Sequence, residues 1–409
     1  MKPTVVFFED QYVDRLRPIN LARPTYAVTC GAFSLRDAAD EWGWPMQTRL
    51  RPHLRRIADP EGEHLTQPVD GPLLFLNAAM PPDLDVLTKI RRLVEAKEPF
   101  ISLSQQRITA AYTPGGYEPT ALSQIDLPSY LLEQRLPVID DEFATFEHPF
   151  DVIKHHERLL PLHLEHLLDR GAHRPIDKDV YVGVDAEVAP NVVFDATEGP
   201  IVVGDRVKIR PFAYLAGPLK IYDNCLVIDH AAIKHGTVLG HTVKAGGEIE
   251  VSIVEPYSNK QHHGFLGHAY VGSWVNLGAG TSNSDLKNTY GEIGIEVEGK
   301  SQPTGMQFAG CVIGDHTKTA INTSIFTGKL IGVASFVYGF VTTNVPSFTN
   351  YARSFGQVTE VGADVAIKTQ RRMAQRRKVE MSAAEAALME DLFELTRTER
   401  QLSSEQVVL

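Results

Sequence analysis

Apolar residues recur at every sixth position in the second half of the chain. Val203, Ile209, Leu215, Ile221, Val227, Ile233 and Leu239 follow one another without a break. Val182, Val188 and Phe194 keep the spacing upstream, and Ile313, Thr319, Ile325, Ile331 and Val337 resume it downstream. Small residues often follow, as in Val203-Gly204, Leu215-Ala216, Leu239-Gly240 and Ile331-Gly332. A period of six suits neither the 3.6-residue turn of a helix nor the two-residue alternation of a strand. It suits a triangular coil: each side is a short strand with one apolar side chain pointing inward, and small residues let the corners turn sharply. The expectation is a left-handed parallel β-helix of hexapeptide repeats from about Val182 to about Val341.

Two passages interrupt the repeat. Residues 195–202 add three positions, a local loop. Residues 282–311 form a longer excursion rich in Gly, Asn, Asp and Ser, and its segment Gly294-Ile295-Glu296-Val297-Glu298-Gly299 alternates apolar and acidic residues as a hairpin arm would. Loops carried on a rigid solenoid are places for function.

The pattern differs on either side of the repeat. Thr4 to Phe8 and Leu73 to Asn77 read as buried strands, and Asp83 to Lys97 as an amphipathic helix through Leu84, Leu87, Ile90 and Leu93. Strand and helix in alternation predict an α/β layer domain over residues 1–150. Phe150 to Arg170 reads as a connecting helix, residues 151–178 form the connecting segment, and Pro175 marks the entry into a β-helix domain over residues 179–348. A C-terminal helical tail fills residues 349–409, where Ser382-Ala383-Ala384-Glu385 is a capping box for a helix carrying Leu388, Met389, Leu392 and Leu395. Before it, Arg371, Arg372, Arg376, Arg377 and Lys378 form a basic cluster, either a solvated helix face or a contact for the phosphates of coenzyme A or a nucleotide.

Composition narrows the field. At 409 residues there is room for two domains with separate cores. A net charge of -11 argues against a nucleic-acid partner, which needs a basic face, and favours small molecules. The apolar run after Met1 is too short for a signal peptide, and Leu330 to Val341 is too short to span a membrane, so no membrane partner and a cytoplasmic location are expected. Cys30, Cys225 and Cys311 form no CxxC and suit a reducing compartment.

Chemistry concentrates in residues 257–290, where polar and basic residues crowd an otherwise apolar repeat. Burying them without partners is costly, so a site is the economical explanation. Acyl transfer from a thioester to an amine or hydroxyl needs a base, and histidine suits that work near neutral pH. His262 and His263 are candidates, with His268 behind them. Backbone N–H groups at Gly264, Gly267, Gly278 and Gly280 offer close approach to an oxyanion. Asn259, Asn276, Asn283 and Asn288 suit a sugar's hydroxyls, and Lys260 and Lys287 suit a phosphate. His155, His156, His163 and His166 raise zinc as an alternative, but solvent-exposed helix histidines account for them better.

Val275-Asn276-Leu277-Gly278-Ala279-Gly280-Thr281, preceded by His262-His263-Gly264-Phe265-Leu266-Gly267-His268, resembles the acetyltransferase core of bifunctional N-acetylglucosamine-1-phosphate uridylyltransferase/glucosamine-1-phosphate acetyltransferase. The chain is more similar still to the GlmU-like sugar nucleotidyltransferase/acetyltransferase family, through Ser258-Asn259-Lys260-x-His262-x-Gly264-Phe265-Leu266-Gly267 and Ser284-Asp285-Leu286-Lys287-Asn288. The resemblance implies UDP-N-acetylglucosamine-type sugar-nucleotide biosynthesis, a cytoplasmic homotrimer and acetyl-CoA as acyl donor, bound between adjacent coils. It makes His262 the catalytic base and Asn276 an acceptor contact, and matches Glu248 to an acidic position; Asn259, Lys260, Lys287 and Asn288 complete the acceptor and donor set. Phe265 stands where the bifunctional enzyme has a sugar-contacting tyrosine, and Glu250 where it has a phosphate-contacting lysine.

The opening strand, Glu9-Asp10, then Arg17-Pro18-Ile19-Asn20-Leu21-Ala22-Arg23-Pro24 and Gly31, is similar to the same family, which makes the first domain nucleotidyltransferase-like. Activity there implies a nucleoside triphosphate, a sugar phosphate and Mg2+, whose ligands the sequence leaves unknown. The Gly-rich phosphate signature is absent, and Arg17, Arg23 and Arg36 are the residues to neutralise a triphosphate, unless they serve structural ion pairs. The leading expectation is thus a two-domain transferase. Its alternatives are a nucleotidyltransferase with the β-helix as a trimerisation scaffold, and a non-catalytic trimeric binding protein.

Overall fold

The computed structural model describes residues 2–58, 69–116, 127–297 and 300–401. Glu298 and Gly299 of the expected hairpin, and the end of the tail beyond residue 401, lie outside the described residues. The chain forms two compact units, one of Met1–Leu16, Arg23–Thr29 and Phe33–His148, the other of Arg17–Ala22, Cys30–Ala32 and Pro149–Leu409.

The first unit is an α/β layer. Five strands, β1 (Thr4–Phe8), β2 (Met46–Arg49), β3 (Leu73–Asn77), β4 (Phe100–Ser104) and β5 (Arg107–Thr113), lie in the order β2-β1-β3-β5-β4. The first three are parallel, and β5 runs antiparallel to both of its neighbours, β3 and β4. All five residues of β3 and four of β1 are buried, as expected of strands covered on both faces. Helix α1 (Leu84–Glu95) starts at Asp83, whose carboxylate accepts from the N–H groups of Asp85 and Val86. It buries Leu87, Ile90 and Val94, while Leu84 and Leu93 sit at the edge of that stripe.

In the second unit each turn of the coil supplies one strand to each of three parallel sheets, making a parallel β-solenoid of about nine turns. Face 1 runs through Val180–Val182, Ile201–Val203 and Leu219–Ile221 to Lys329–Ile331. Face 2 runs from Glu187–Val188 through Lys208–Ile209 and Lys244–Ala245 to Thr349–Ala352, and face 3 from Val193–Asp195 through Glu248–Glu250 and Phe265–Gly267 to Phe340–Val341. Ile201 pairs with Leu219 and Lys208 with Leu226, so a turn takes eighteen residues, three hexapeptides. Val203, Ile209, Leu215, Ile221, Val227, Ile233 and Leu239 all point into one core. The loop after Asp195 adds its three residues without breaking register, since Ile201 still pairs with Val180.

An antiparallel strand, Arg174–Asp177, covers the first edge of face 1, and Gln357–Glu360 covers the last edge of face 2. Those two edges are thereby kept from open-edge pairing. Helix α2 (Asp151–Asp169) packs Leu160 and Leu164 against Val202 and Val238 on the outside of face 1. Helix α3 (Ala363–Arg376) is followed by α4 (Ala383–Leu395), which starts at the capping box of Ser382 and Glu385 and buries Leu388, Met389 and Leu392, leaving Leu395 exposed. Among the described residues no helix is long and apolar enough to cross a membrane.

The histidines of α2 require a correction. His156 and His163 are fully buried. His156 Nδ1 accepts from Gly31 N–H at 3.0 Å and its Nε2 donates to Gly236 O at 2.8 Å; His163 Nδ1 accepts from Ala32 N–H at 3.0 Å. Seven residues apart, they share the helix stripe that faces the body, and burial pulls His156 down to about 4. Their lone pairs are committed to backbone N–H groups. Among the described residues no group of three or more His, Cys, Asp or Glu could hold a metal.

Candidate active site

The solenoid does not stop where the six-residue spacing fades. Beyond Leu239 its turns shorten: Ala232 pairs with Glu248, sixteen positions on, Val238 with Ile253, fifteen on, and Glu248 with Phe265, seventeen on. The next turn is long, with Tyr270 pairing with Val312, forty-two positions on. Ser282 and Asn283 still belong to the coil, pairing with Ser324 and Ile325, and Cys311 is back in the core. The excursion therefore spans residues 284–310. Its arm is the antiparallel pair Gly294–Val297 and Lys300–Pro303.

These irregular turns place polar side chains inside. Lys260 pairs with Ala245 on face 2 and takes the inward position, 2% exposed. Its ammonium donates to the carbonyls of Gly246 (3.2 Å), His262 (2.8 Å) and Gly264 (2.9 Å). Burial pulls it down to about 8. Lys260 thus fastens the corner loop 261–264 from beneath instead of facing a phosphate. Gly264 completes that corner at φ +123°, where a β-carbon would collide with Thr281 O. His262 and His263 stand exposed on the outside of the same corner.

Face 3 continues from this corner. Between Phe265–Gly267 and the next turn side chains replace part of the backbone ladder: Ser282 Oγ accepts from Phe265 N–H at 3.0 Å, and Asn283 bonds both Gly267 N–H and Gly267 O at 2.9 Å. Asn283 is an interior strut. On the outside of the preceding turn Lys234 pairs with Glu248 and, at 3.3 Å, with Glu250. The hydrogen bond to Glu248 holds Lys234 above its ordinary value. At the far end of the strand His268 Nδ1 bonds Asp285 at 2.8 Å and its ring stacks on Phe308 at 5.3 Å, so the two ends of the excursion meet on His268.

On face 2, Asn259, Asn276 and Lys318 are consecutive outward residues. Asn259 Nδ2 donates to Asn276 Oδ1 at 3.2 Å, while Arg377, just past α3, donates to Asn259 Oδ1. Lys287 donates to Glu292 O at 2.5 Å inside the excursion, and Asn288 is exposed on its turn. The expected residues thus divide among the corner (His262), face 3 (Glu248), face 2 (Asn259, Asn276), the interior (Lys260) and the arm (Lys287, Asn288). Arg377, Lys234 and Asp285 join them through contacts no local spacing signals.

The three arginines expected to meet a triphosphate also divide. Arg17 belongs to the second unit and lies 3.8 Å from Glu399; Arg23 and Arg36 belong to the first, with the Arg36 guanidinium over the Tyr26 ring at 5.9 Å. Glu9 accepts two bonds from the Arg51 guanidinium, at 3.0 and 3.1 Å, and further bonds from Thr25. Burial raises the Glu9 carboxyl, but the Arg51 charge and hydrogen bonds outweigh it and leave it below the ordinary value. Asp10 holds Arg107 at 3.0 and 3.1 Å, and accepts from Asn77. With every carboxylate oxygen engaged, the acidic pair does not fit a Mg2+ ion.

Residues 5–169 match the family model described as sugar nucleotidyl transferase. The chain is 28% identical over 143 residues to a bifunctional sugar-1-phosphate nucleotidylyltransferase/acetyltransferase of Sulfurisphaera tokodaii, covering 34% of this chain and 36% of that protein. It is 37% identical over 106 residues to the bifunctional protein GlmU of Sphingopyxis alaskensis, covering 25% and 22%. The chain thus spans well under half the length of these curated relatives. Among solved structures it is similar to a UDP-N-acetylglucosamine acyltransferase of Francisella novicida, at 14% identity and a TM-score of 0.33, covering 57% of this chain and 93% of that one. The family model and the curated relatives together support the GlmU-like resemblance.

Proposed function

We propose that the chain is a sugar-nucleotide transferase whose solenoid moves an acyl group from acetyl-CoA to the amine of an amino-sugar acceptor, with His262 as base. The observation that carries the reading is an exposed histidine on a corner that a buried lysine fastens from within. A general base must keep its place while its ring stays open to solvent-borne substrate, and Lys260 supplies the first condition. In the reaction the acceptor nitrogen attacks the thioester carbonyl carbon, the C–N bond forms and the C–S bond breaks. The N–H proton passes to His262, which returns it to the departing thiolate. Lys234, set against Glu248 and Glu250, offsets the acidic charge that would otherwise repel a phosphorylated acceptor.

Sugar-1-phosphate nucleotidyl transfer in the first unit is the second half of the reading and rests on the match over residues 5–169. No step is assigned to Glu9 or Asp10, which arginines already hold. Assembly as a homotrimer in the cytoplasm belongs to the same reading, and light scattering on the purified chain measures the assembly. The alternative, a nucleotidyltransferase with the solenoid as scaffold, is favoured by Asn259 and Asn276 being engaged with each other and with Arg377.

Release of free thiol from acetyl-CoA across a panel of amino sugars tests the acyl-transfer half. His262→Ala is expected to lower the rate by roughly 10²–10⁴-fold. Full activity in that variant removes the assigned base. Pyrophosphate release from nucleotide and sugar phosphate without any thiol release selects the scaffold reading.

A further inference from the structure

A lysine stands in the apolar layer that joins α2 to face 1. Lys220 pairs across the ladder with Val202 on one side and Val238 on the other, and those valines pack against Leu160 and Leu164 of α2. Its neighbours Leu219 and Ile221 belong to the core, so Lys220 points outward into that layer, where the residue is 4% exposed. The ammonium lies 5.0 Å from the centre of the Tyr222 ring, whose hydroxyl donates to Ala32 O. Among the described residues no hydrogen bond or ion pair reaches it.

Burial also pulls down Lys260 and Lys318, but their ammonium groups donate to three and two carbonyl oxygens, and those bonds occupy the nitrogen. Lys220 has only an aromatic face. Burial pulls it down to about 8, against the charges of Asp223, Cys225 and Asp205, which favour the ammonium. At pH 8 about half of it is therefore neutral, compared with about one in 300 for an ordinary lysine. A desolvated neutral amine with an open lone pair is a nucleophile.

A proton acceptor is within electrostatic reach. His173 Nδ1 is buried and has no hydrogen-bond partner among the described residues. Burial, and after it the Lys220 charge, hold His173 below its ordinary value, so each group disfavours the other's cation. Asp205 and Asp223 act the other way on both, but they are open to solvent, and Arg206 lies 3.7 and 3.4 Å from them.

An electrophile for this amine must be small and uncharged, because so little of the residue is exposed. Carbon dioxide meets both conditions. We infer that Lys220 is a carbon dioxide-binding site, at which the amine becomes a carbamate and His173 takes the proton. The amine nitrogen attacks the carbon, a C–N bond forms, one C=O π pair moves onto oxygen, and the N–H proton passes to the imidazole. The product pairs a carbamate anion with an imidazolium, so the layer gains no net charge. The site lies on face 1 and stands whether or not acyl transfer occurs.

Carbon NMR of the full chain equilibrated with isotopically labelled bicarbonate at about pH 8 reads the adduct, and alkyl trapping followed by peptide mass spectrometry places it. A carbamate on Lys220 is expected, lost in Lys220→Met and kept when the exposed Lys178 is replaced in Lys178→Met. Lys220→Met keeps the apolar stem, and its circular dichroism and melting temperature check that the layer stays folded. His173→Gln should weaken carbon dioxide binding about tenfold, the loss of one charge-assisted contact. Carbamate found only on the chain's α-amino group, which titrates ordinarily at about 8 and is the usual competitor, overturns the inference. So does an adduct on Lys220 that is unchanged within twofold in His173→Gln.

Discussion

The turns from Ile201 to Leu239 and those from Lys244 to Asn283 belong to one solenoid, yet different forces hold them. The earlier turns repeat every eighteen residues and fill their interior with Val, Ile and Leu. The later turns take fifteen to seventeen residues and put Lys260 and Asn283 at interior positions. Shorter corners bring carbonyls inward, and a lysine and an asparagine satisfy them. The contrast shows where the molecule exchanges apolar filling for hydrogen bonding: beneath the corner that presents His262.

The comparison can be broken most severely in the regular turns. Ile221→Ala removes a fully buried side chain from a core that cannot collapse, and should cost about 2–5 kcal/mol in denaturant unfolding. A much smaller loss would mean that apolar filling does not hold those turns. The irregular turns answer to pH instead. Lys260 has a folded value of about 8 against an ordinary 10.5, so between those limits the unfolded chain binds the extra proton. Stability from this group therefore rises as pH increases from about 8 to 10.5, by at most about 3 kcal/mol. Unfolding across that range should show the rise in the native chain and lose it in Lys260→Met. The smallest effect is expected at Asn283→Leu, which keeps the volume but strands Gly267 N–H and O, at about 1–3 kcal/mol. Thiol-release activity should fall in that variant by more than its stability suggests, because the strand beside His262 loses its tie.

Much of the scaffold was legible because inward residues recur with the coil. Val203 to Leu239 and Ile313 to Val337 could be read directly, and so could the strands at Thr4 and Leu73 and the capping box at Ser382. The turns between were hidden by their shortened corners, although Val254, Lys260 and Leu266 keep a spacing of six. A lysine at an inward position reads as a site residue, since polar side chains are not expected inside. The histidines of α2 misled for the converse reason: a residue that is polar in composition filled a buried stripe by accepting from backbone N–H groups. The placement of Arg377 on Asn259 joins residues 118 apart in sequence, and no local pattern encodes such a meeting.

The long turn from Tyr270 to Val312 leaves the ladder above and below it in register. A flexible insertion costs only about 0.6 kcal/mol for each doubling of its length, so the coil can host an arm of almost any size. The arm at residues 284–310 is therefore an exchangeable module: its sequence and length can change while the coil that carries it keeps its register.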